Sequence, residues 1–157
     1  MKIDLEAFRE CTSLERVEIP DSVTWVSHGA FVGCDKLIQK IDGVSYVDNW
    51  VIESNQGVTE VTLPKGTRGI SVCAFYEQKF LRRITIPEGV KYIGESAFNG
   101  CGKLTNVSLP KGIQTIEDST FFNCTALKKI VLPDSLTSIE DFAFRECGAL
   151  EIIDIPA

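Results

Sequence analysis

Six cysteines are the residues of this chain with the most obvious capacity for chemistry, as zinc ligands or disulfide partners. Zinc sites are typically built on close pairs such as C-x-x-C, but the shortest cysteine separation here is 23 residues. Thiols stacked at one repeat position point the same way rather than at each other, and a buried free cysteine packs as a small apolar residue. We therefore expect a cysteine ladder in the core without metal or disulfide, and Cys73, which departs from the spacing, in a turn. The five regularly placed residues are Cys11, Cys34, Cys101, Cys124 and Cys147.

His28 is the only histidine, and a Cys–His or Ser–His–Asp site needs such a base held against a nucleophile. It lies in the segment Val26–Ala30, six residues before Cys34, which belongs to the core ladder. We interpret His28 as a solvated turn residue. The sequence predicts no catalytic residues, no bound cofactor and no metal, and therefore no enzyme.

Carboxylates occur as adjacent pairs, Glu117-Asp118 and Glu140-Asp141, at equivalent positions. General acid–base chemistry needs two acids facing each other across a cleft, whereas neighbours in sequence diverge. We interpret the pairs as a negative stripe along one edge of the fold. They lack the Asp and Gly spacing of a dedicated calcium loop.

A repeat of 23 residues organises the chain. Phe75, Phe98, Phe121 and Phe144 keep this interval, and the prolines from Pro64 to Pro156 keep it as well. The stretch before each proline alternates apolar and polar residues, which indicates a strand with one buried face. Proline ends that strand because it has no N–H for the ladder, and a turn returns the chain along the other side. Stacked copies of such a unit predict a β-rich repeat solenoid.

We expect one domain over residues 1–157. Its repeat units lie near 7–29, 30–73, 74–96, 97–119 and 120–142, with a partial unit at 143–157. Gln78 stands where a cysteine is expected, and Thr120 replaces the alanine before Phe121.

The second unit is longer because it contains an insertion at residues 38–57. Val44–Val47 and Trp50–Ile52 are apolar runs joined by Asp48-Asn49, a two-residue loop whose residues tolerate positive φ. We predict a β-hairpin that either protrudes from the solenoid or extends it. Insertions in repeat proteins often mark a binding face, but the hairpin is equally interpreted as a cover for the core.

Outward-facing residues carry whatever function a solenoid has. On the second strand of each unit the outward position is taken by Trp25, Gly69 and Tyr92, so the two aromatics are expected to flank the glycine. With Tyr46 and Trp50 on the hairpin, these side chains could hold a peptide or a sugar ring, or simply pack together. On the first strand the outward residues are mostly polar and include Arg16 and Arg83 as candidate contacts.

The composition narrows the class of partner. A net charge of -6 opposes binding to nucleic acid, which needs clustered positive charge. No apolar run approaches the ~20 residues of a membrane span, and the N-terminal residues lack the apolar stretch of a signal peptide. Apolar residues at 44% and charged residues at 24% are typical of a folded globular protein.

The unit resembles the BspA-like branch of the leucine-rich repeat family. The resemblance is carried by Ala-Phe-x-x-Cys-x-x-Leu at 30–37 and by Ile-Pro-x-x-Val-x-x-Ile at 86–93, repeated over nearly the whole chain. It implies a right-handed leucine-rich repeat superhelix and a bacterial or protozoan surface protein, secreted or on the cell surface. It further implies non-catalytic adhesion to other cells or to host proteins such as those of the extracellular matrix.

Two other functions fit the same residues. A structural spacer in a longer surface protein needs no ligand, and a carbohydrate-binding module would use the same aromatics. Because neither end carries a polar capping element, we also expect a longer parent protein or end-to-end self-association.

Overall fold

The computed structural model describes residues 1–156, which wind into a solenoid of short β-strands. The strands among these residues are β1 Lys2–Ile3, β2 Trp25–Val26, β3 Gln39–Ile41, β4 Val44–Val47, β5 Trp50–Ser54, β6 Glu60–Thr62, β7 Gly69–Ile70, β8 Arg83–Thr85, β9 Tyr92–Ile93, β10 Asn106–Ser108, β11 Thr115–Ile116, β12 Lys129–Val131 and β13 Ser138–Ile139. The predicted repeat solenoid is confirmed.

The first strand of each unit from β6 onward joins a parallel four-stranded sheet, which we call the principal sheet, in the order β6-β8-β10-β12. Its register follows the repeat, since Val61 lies opposite Ile84 and Val107 opposite Ile130. In each strand the middle residue is buried and its two neighbours are exposed, as the alternating sequence predicts.

The opposite side of the solenoid, called the second wall, consists of the two-residue strands and the insertion strand β5, to which β4 and then β3 are added. These strands also stack in parallel at the repeat interval, with Lys2 opposite Trp25, Gly69 opposite Tyr92 and Thr115 opposite Ser138. The second wall is not one continuous sheet. Its order runs β3-β4-β5-β7-β9, while β1-β2 and β11-β13 form separate pairs.

Phenylalanine rings form the spine of the interior. The rings of Phe75, Phe98, Phe121 and Phe144 lie in single file with centroids 5.3, 5.4 and 5.6 Å apart and nearly parallel planes. Phe8 and Phe31 stack separately at 5.2 Å. The single file confirms that like residues lie directly above one another, and the insertion interrupts it between Phe31 and Phe75.

Four of the five regularly spaced cysteines form the expected ladder, namely Cys34, Cys101, Cys124 and Cys147. The expectation is wrong for Cys11, whose side chain is exposed. All six cysteines are free thiols among the described residues. Each stacked Sγ donates to the carbonyl of a phenylalanine in the preceding coil, for example Cys101 to Phe75 and Cys124 to Phe98, both at 3.2 Å. Burial raises the pKa of the Cys101 thiol to about 12 and also raises the pKa of Cys124. These thiols are therefore packing groups and weak donors rather than nucleophiles.

Every phenylalanine of the spine is flanked by two residues in the left-handed backbone region, two positions before it and two positions after it. Their φ values lie between 52° and 79°. We call these positions corners. Cys73 occupies the corner two residues before Phe75, which explains why it does not lie in the cysteine ladder. The corner residues are Glu6, Glu10, Gly29, Gly33, Cys73, Glu77, Ser96, Gly100, Ser119, Asn123, Phe142 and Glu146.

The insertion is a double hairpin, because β3 pairs antiparallel with β4 and β4 with β5. The predicted turn at Asp48-Asn49 joins β4 to β5, and a second turn at Asp42-Gly43 joins β3 to β4. β5 then pairs in parallel with β7, so the insertion extends the second wall. The prediction that the insertion extends the solenoid is therefore confirmed, and the alternative of a protruding hairpin is wrong.

The hairpin divides the interior into two hydrophobic clusters and contributes to both. Tyr46 and Val51 pack with the large C-terminal cluster around the phenylalanine file. Val47 and Trp50 pack with the N-terminal cluster, which contains Phe31. All four residues of β4 are buried, because a strand with core on both sides exposes neither face.

Candidate binding groove

Trp50 lies where the two hydrophobic clusters of the molecule meet. In the second wall its register partner is Gly69, whose other neighbour is Tyr92, and the Trp50 and Tyr92 rings stack with centroids 6.0 Å apart. The expectation that Trp25 and Tyr92 flank Gly69 is wrong. The inserted strand β5 occupies the position next to β7 that the repeat alone would give to β2.

The N-terminal coil is fastened to the rest of the molecule by polar contacts around this strand. The Arg68 guanidinium forms an ion pair with Asp21 and donates to the carbonyls of Ile19 at 2.8 Å and Pro20 at 3.0 Å. The Ile19 amide donates to the Asp48 carboxylate at 2.9 Å. These contacts hold the N-terminal coil against the hairpin and the coil that contains Arg68.

A groove of about 510 Å³ lies at this junction. Pockets of this size accept small molecules or short stretches of a larger partner. One side is formed by β1 and β2 and the other by β9, β11 and the segments beside them. The side chains and glycines that line it are Lys2, Thr24, Trp25, Val26, Trp50, Ile70, Lys91, Tyr92, Ile93, Gly94, Gly112, Gln114, Thr115 and Glu117.

Charged and aromatic groups meet within the groove. The Lys2 ammonium lies 5.0 Å from the centre of the Trp25 ring, within the range of a cation–π interaction. Burial and the nearby carboxylates of Glu140 and Glu95 raise the pKa of Glu117, while the Lys2 ammonium lowers it. Lys2 therefore faces β11 across the groove, and ammonium groups outnumber carboxylates among the lining side chains.

The backbone of the second wall is interrupted at the groove. At the preceding step the Lys91 amide donates to the Arg68 carbonyl at 2.9 Å and the Gly94 amide to the Ile70 carbonyl at 2.9 Å. Within residues 1–156 the equivalent bonds at the next step, from Gln114 to Lys91 and from Glu117 to Ile93, are missing. Accordingly β9 and β11 belong to different sheets.

The same two coils remain joined elsewhere. On the side of the phenylalanine file, the Ser96 amide donates to Asp118 at 3.0 Å and the Phe98 amide to Thr120 at 2.9 Å. On the principal sheet, Arg83 remains opposite Asn106. The gap is thus confined to the second wall, where it faces the groove.

The structure brings three of the six predicted contact residues together, since Trp25, Trp50 and Tyr92 line one groove. Trp25 and Tyr92 are half-buried, whereas Trp50 is 1% exposed and Tyr46 is 5% exposed. Trp50 and Tyr46 are therefore core residues in this conformation, and their burial explains why both faces of the hairpin are apolar. Burial also raises the pKa of the Tyr46 phenol, with the Asp42 carboxylate adding to the shift.

Arg16 and Arg83 lie away from the groove. Arg83 begins β8 and is exposed on the principal sheet. Arg16 is also exposed, lies outside the strands and forms an ion pair with Glu18. The two arginines do not share a surface with the aromatic residues of the groove.

Sequence reasoning missed the polar half of the groove, formed by Lys2, Lys91, Gln114 and Glu117. No repeat motif marks these residues, because the fold brings them together across more than a hundred positions. The Asp42-Gly43 turn was also missed, although Asp-Gly is a strong hairpin signal.

The histidine and the acidic residues do not form a reactive site in the described part of the chain. His28 is exposed in a turn, as expected. Among residues 1–156, no three His, Cys, Asp or Glu side chains are grouped so that they could hold a metal ion. The same part of the chain contains no helix of the length and hydropathy needed to cross a bilayer.

The fold and the spacing of its core residues define a leucine-rich repeat protein with coils of 23 residues. Residues 1–53 and 45–157 match the family described as BspA type leucine rich repeat region, in six copies. The chain belongs to this family. No relative is found among the curated proteins.

Solved structures with the same fold come from bacterial proteins. A leucine-rich repeat protein of T. pallidum is 27% identical, with a TM-score of 0.59 over 93% of this chain and 58% of its own. A leucine-rich cell surface protein of Faecalibacterium prausnitzii is 26% identical, with a TM-score of 0.57 over 88% of this chain and 47% of its own. The pneumococcal vaccine antigen PcpA is 27% identical, with a TM-score of 0.63 over 75% of this chain and 29% of its own. The chain thus spans only about a third to three-fifths of the length of these proteins.

Proposed function

We propose that this chain is a non-enzymatic protein-binding module of a bacterial adhesin that is secreted or displayed on the cell surface. The groove beside Trp25 and Tyr92 is the observation that carries the proposal. The residues of the repeat motif are buried in the core, so a partner must be recognised by residues outside the motif. The groove brings aromatic and charged residues of this kind together. Half-exposed aromatic side chains are enriched at protein-binding surfaces, and the ammonium groups of the groove add charge that can orient a partner.

The proposed location is supported by the descriptions of similar structures, and the proposed partners rest on the family resemblance alone. One similar structure is described as a cell surface protein and another as a vaccine antigen. We propose proteins of the host extracellular matrix, such as fibronectin or fibrinogen, as partners. We further propose that residues 1–157 act as a single domain, because the hairpin contributes to both of its hydrophobic clusters.

The test measures capture of the intact chain by immobilised fibronectin and fibrinogen, using biolayer interferometry. Lys91→Glu reverses a charge in the groove, and Arg83→Glu reverses one on the principal sheet. Lys65→Glu makes the same charge change in an exposed turn outside both surfaces. We expect capture by at least one host protein, weakened by Lys91→Glu and unaffected by Lys65→Glu. Weakening by Arg83→Glu alone would place the contact on the principal sheet and refute the groove.

Two results would count against the proposal. No capture above that of the urea-unfolded chain would exclude these partners and favour the spacer. Quenching of tryptophan fluorescence by free sugars, without capture of any protein, would favour the carbohydrate-binding module.

Self-association at the ends is a separate part of the proposal. Ile152 and Ile155 are among the most exposed apolar side chains and lie on the last coil. Stacking of a second copy on this coil would cover them. A sedimentation profile that stays monomeric at high protein concentration would exclude it.

A further inference from the structure

Five basic side chains lie together on the exposed face of the principal sheet and in the segments just before its strands, and we call them the basic patch. All five are exposed. In a chain whose net charge is -6, the patch holds five of the 16 basic residues, namely Arg82, Arg83, Lys103, Lys128 and Lys129. A local excess of one charge sign on one face attracts ligands of the opposite sign.

Ion pairs do not neutralise the basic patch. Within residues 1–156, the four arginines outside the patch each form an ion pair, with Glu6, Glu18, Asp21 and Glu146 as their partners. In the same part of the chain, the two arginines and three lysines of the patch form none. The Lys103 ammonium instead lies 4.9 Å from the centre of the Phe80 ring. The charge of the patch is therefore available to a partner.

The acidic residues of the neighbouring elements surround the basic patch. Along the solenoid axis, Glu60 lies opposite Arg83 in the preceding strand, and Glu151 follows Lys128 in the last coil. The positive surface is therefore limited to three coils. The other carboxylates around it belong to corners, turns and the last coil, at Glu77, Glu88, Asp134, Glu146 and Asp154.

The stacking of the coils sets the spacing of the charges. Thr105 lies between Arg82 and Lys128, because its amide donates to the Arg82 carbonyl at 3.3 Å and its carbonyl accepts from the Lys128 amide at 2.9 Å. The pair of cations one residue later in the same two coils is likewise separated by one polar residue. Each pair therefore spans two coil steps, about 10 Å at ~4.8 Å per step.

An acidic peptide in the polyproline II conformation matches this spacing. That conformation has three residues per turn and rises ~3.1 Å per residue, so side chains three residues apart face the same way at about 9 Å. Guanidinium groups also bind carboxylates through two parallel hydrogen bonds. A long polyanion such as DNA would extend past the patch and meet Glu60 and Glu151, which repel it.

We propose that the basic patch binds a short acidic segment of a partner protein, with two pairs of adjacent carboxylates separated by one residue. One pair lies against Arg82 and Arg83 and the other against Lys128 and Lys129, with Lys103 in the coil between them. This surface is separate from the groove, since none of its residues lines the groove. The inference therefore goes beyond the proposed function and shares with it only that the partner is a protein.

The experiment measures the fluorescence anisotropy of a labelled peptide with the central sequence Glu-Glu-Ser-Glu-Glu, titrated with the full chain. The matched peptide with Gln-Gln-Ser-Gln-Gln is the control for charge, and we expect binding of the first peptide only. Arg82→Glu and Lys129→Glu should each weaken this binding about tenfold or more, because an attractive charge pair becomes repulsive. Lys91→Glu in the groove and Lys65→Glu in a turn make the same kind of change and should leave the binding unchanged.

Backbone amide chemical shifts locate the bound peptide. With the acidic peptide at saturation, we expect the largest changes in residues 82–85, 103–108 and 128–131. Arg82→Gln and Lys129→Gln remove a charge without reversing it, and they serve if a glutamate variant disturbs folding. Each should weaken the binding about threefold or more.

Several outcomes would overturn the inference. Equal binding of the two peptides, or no binding of either, would exclude a carboxylate site. Binding of the acidic peptide that survives both Arg82→Glu and Lys129→Glu would exclude the basic patch. Tighter binding of single-stranded DNA or dextran sulfate, weakened by the same two changes, would make the patch a site for long polyanions and refute the acidic segment. None of these results affects the groove, whose own test is the effect of Lys91→Glu on capture by host proteins.

Discussion

The Trp50 indole lies directly on the backbone of Gly69. A β-carbon at position 69 would come within 2.5 Å of two ring carbons of Trp50, closer than any real contact. The other coils carry side chains at this position, and Gly69 is the exception because the insertion places a tryptophan beside it. The pair is a close contact at the junction between the N-terminal coils and the rest of the solenoid.

Gly69→Ala should therefore destabilise the protein by about 1–3 kcal/mol, the usual cost of an added carbon in a packed site. Urea unfolding followed by tryptophan fluorescence measures the change, and it should also report a shifted Trp50 environment. Gly148→Ala is the matched control, since no atom lies within 4 Å of the added carbon. Equal stability of the two variants would refute the close contact.

The cysteine ladder predicts a strict order of thiol reactivity. Cys11 is exposed, whereas Cys101 and Cys124 are buried and burial raises the pKa of both thiols. With iodoacetamide at pH 8, we expect Cys11 to react at least about a hundredfold faster than these two, which must wait for the fold to open. Mass spectrometry of timed samples measures the rates. Comparable rates at all three sites would contradict the buried ladder.

Phe142 occupies a left-handed corner, with φ at 56° and 53% of its surface exposed. A bulky residue in this region is strained, and asparagine tolerates it better. Phe142→Asn should raise the free energy of unfolding by roughly 0.5–1 kcal/mol, less whatever the contact of the ring with Arg145 contributes.

Tyr76→Asn is the comparison for this corner. Tyr76 is 46% exposed and has a negative φ, so the change relieves no backbone strain there. Thermal unfolding of both variants measures the difference. If Phe142→Asn lowered the stability as much as Tyr76→Asn does, the backbone at position 142 would not be strained.

Glu117 should make the protein less stable as the pH rises through the acidic range. Its pKa in the folded state lies above the ordinary value of 4.5, chiefly because of burial and then because of Glu140. The folded state therefore holds this proton at pH values where the unfolded chain has lost it, and stability falls as the pH rises from about 4.5.

Glu117→Gln removes this dependence, so the variant should gain stability relative to the natural chain between pH 4 and pH 7, by an amount that grows with pH. Glu140→Gln should reduce the effect, because one cause of the raised pKa is then gone. Urea midpoints at a series of pH values measure both. A gap between variant and natural chain that narrows toward neutral pH would refute the raised pKa.

The repeat made most of the fold predictable. A fixed interval specifies the register of the principal sheet, the phenylalanine file and the cysteine ladder, because each depends only on stacking like residues. The hairpin was also predictable from its alternating runs and its turn. The left-handed corners were not, since glutamate, serine and phenylalanine occupy them as well as glycine.

The groove was predictable only in part. Trp25 and Tyr92 stand out as outward aromatics in a polar series, but their true neighbours depend on where β5 enters the wall. That choice follows from packing on both faces of the hairpin, which local patterns do not encode. The unpaired backbone groups of β9 and β11 likewise depend on a local gap in the second wall, which no repeat position marks.

The shared hairpin also constrains how this sequence can change over evolutionary time. A whole coil can be gained or lost after Phe121 without altering any neighbour type, because each such coil meets an equivalent surface above and below. The coils flanking the insertion have no such freedom, since Val51 and Trp50 each complement a different partner. Variation in length should therefore accumulate toward the C-terminal side, while the junction that shapes the groove is inherited as one block.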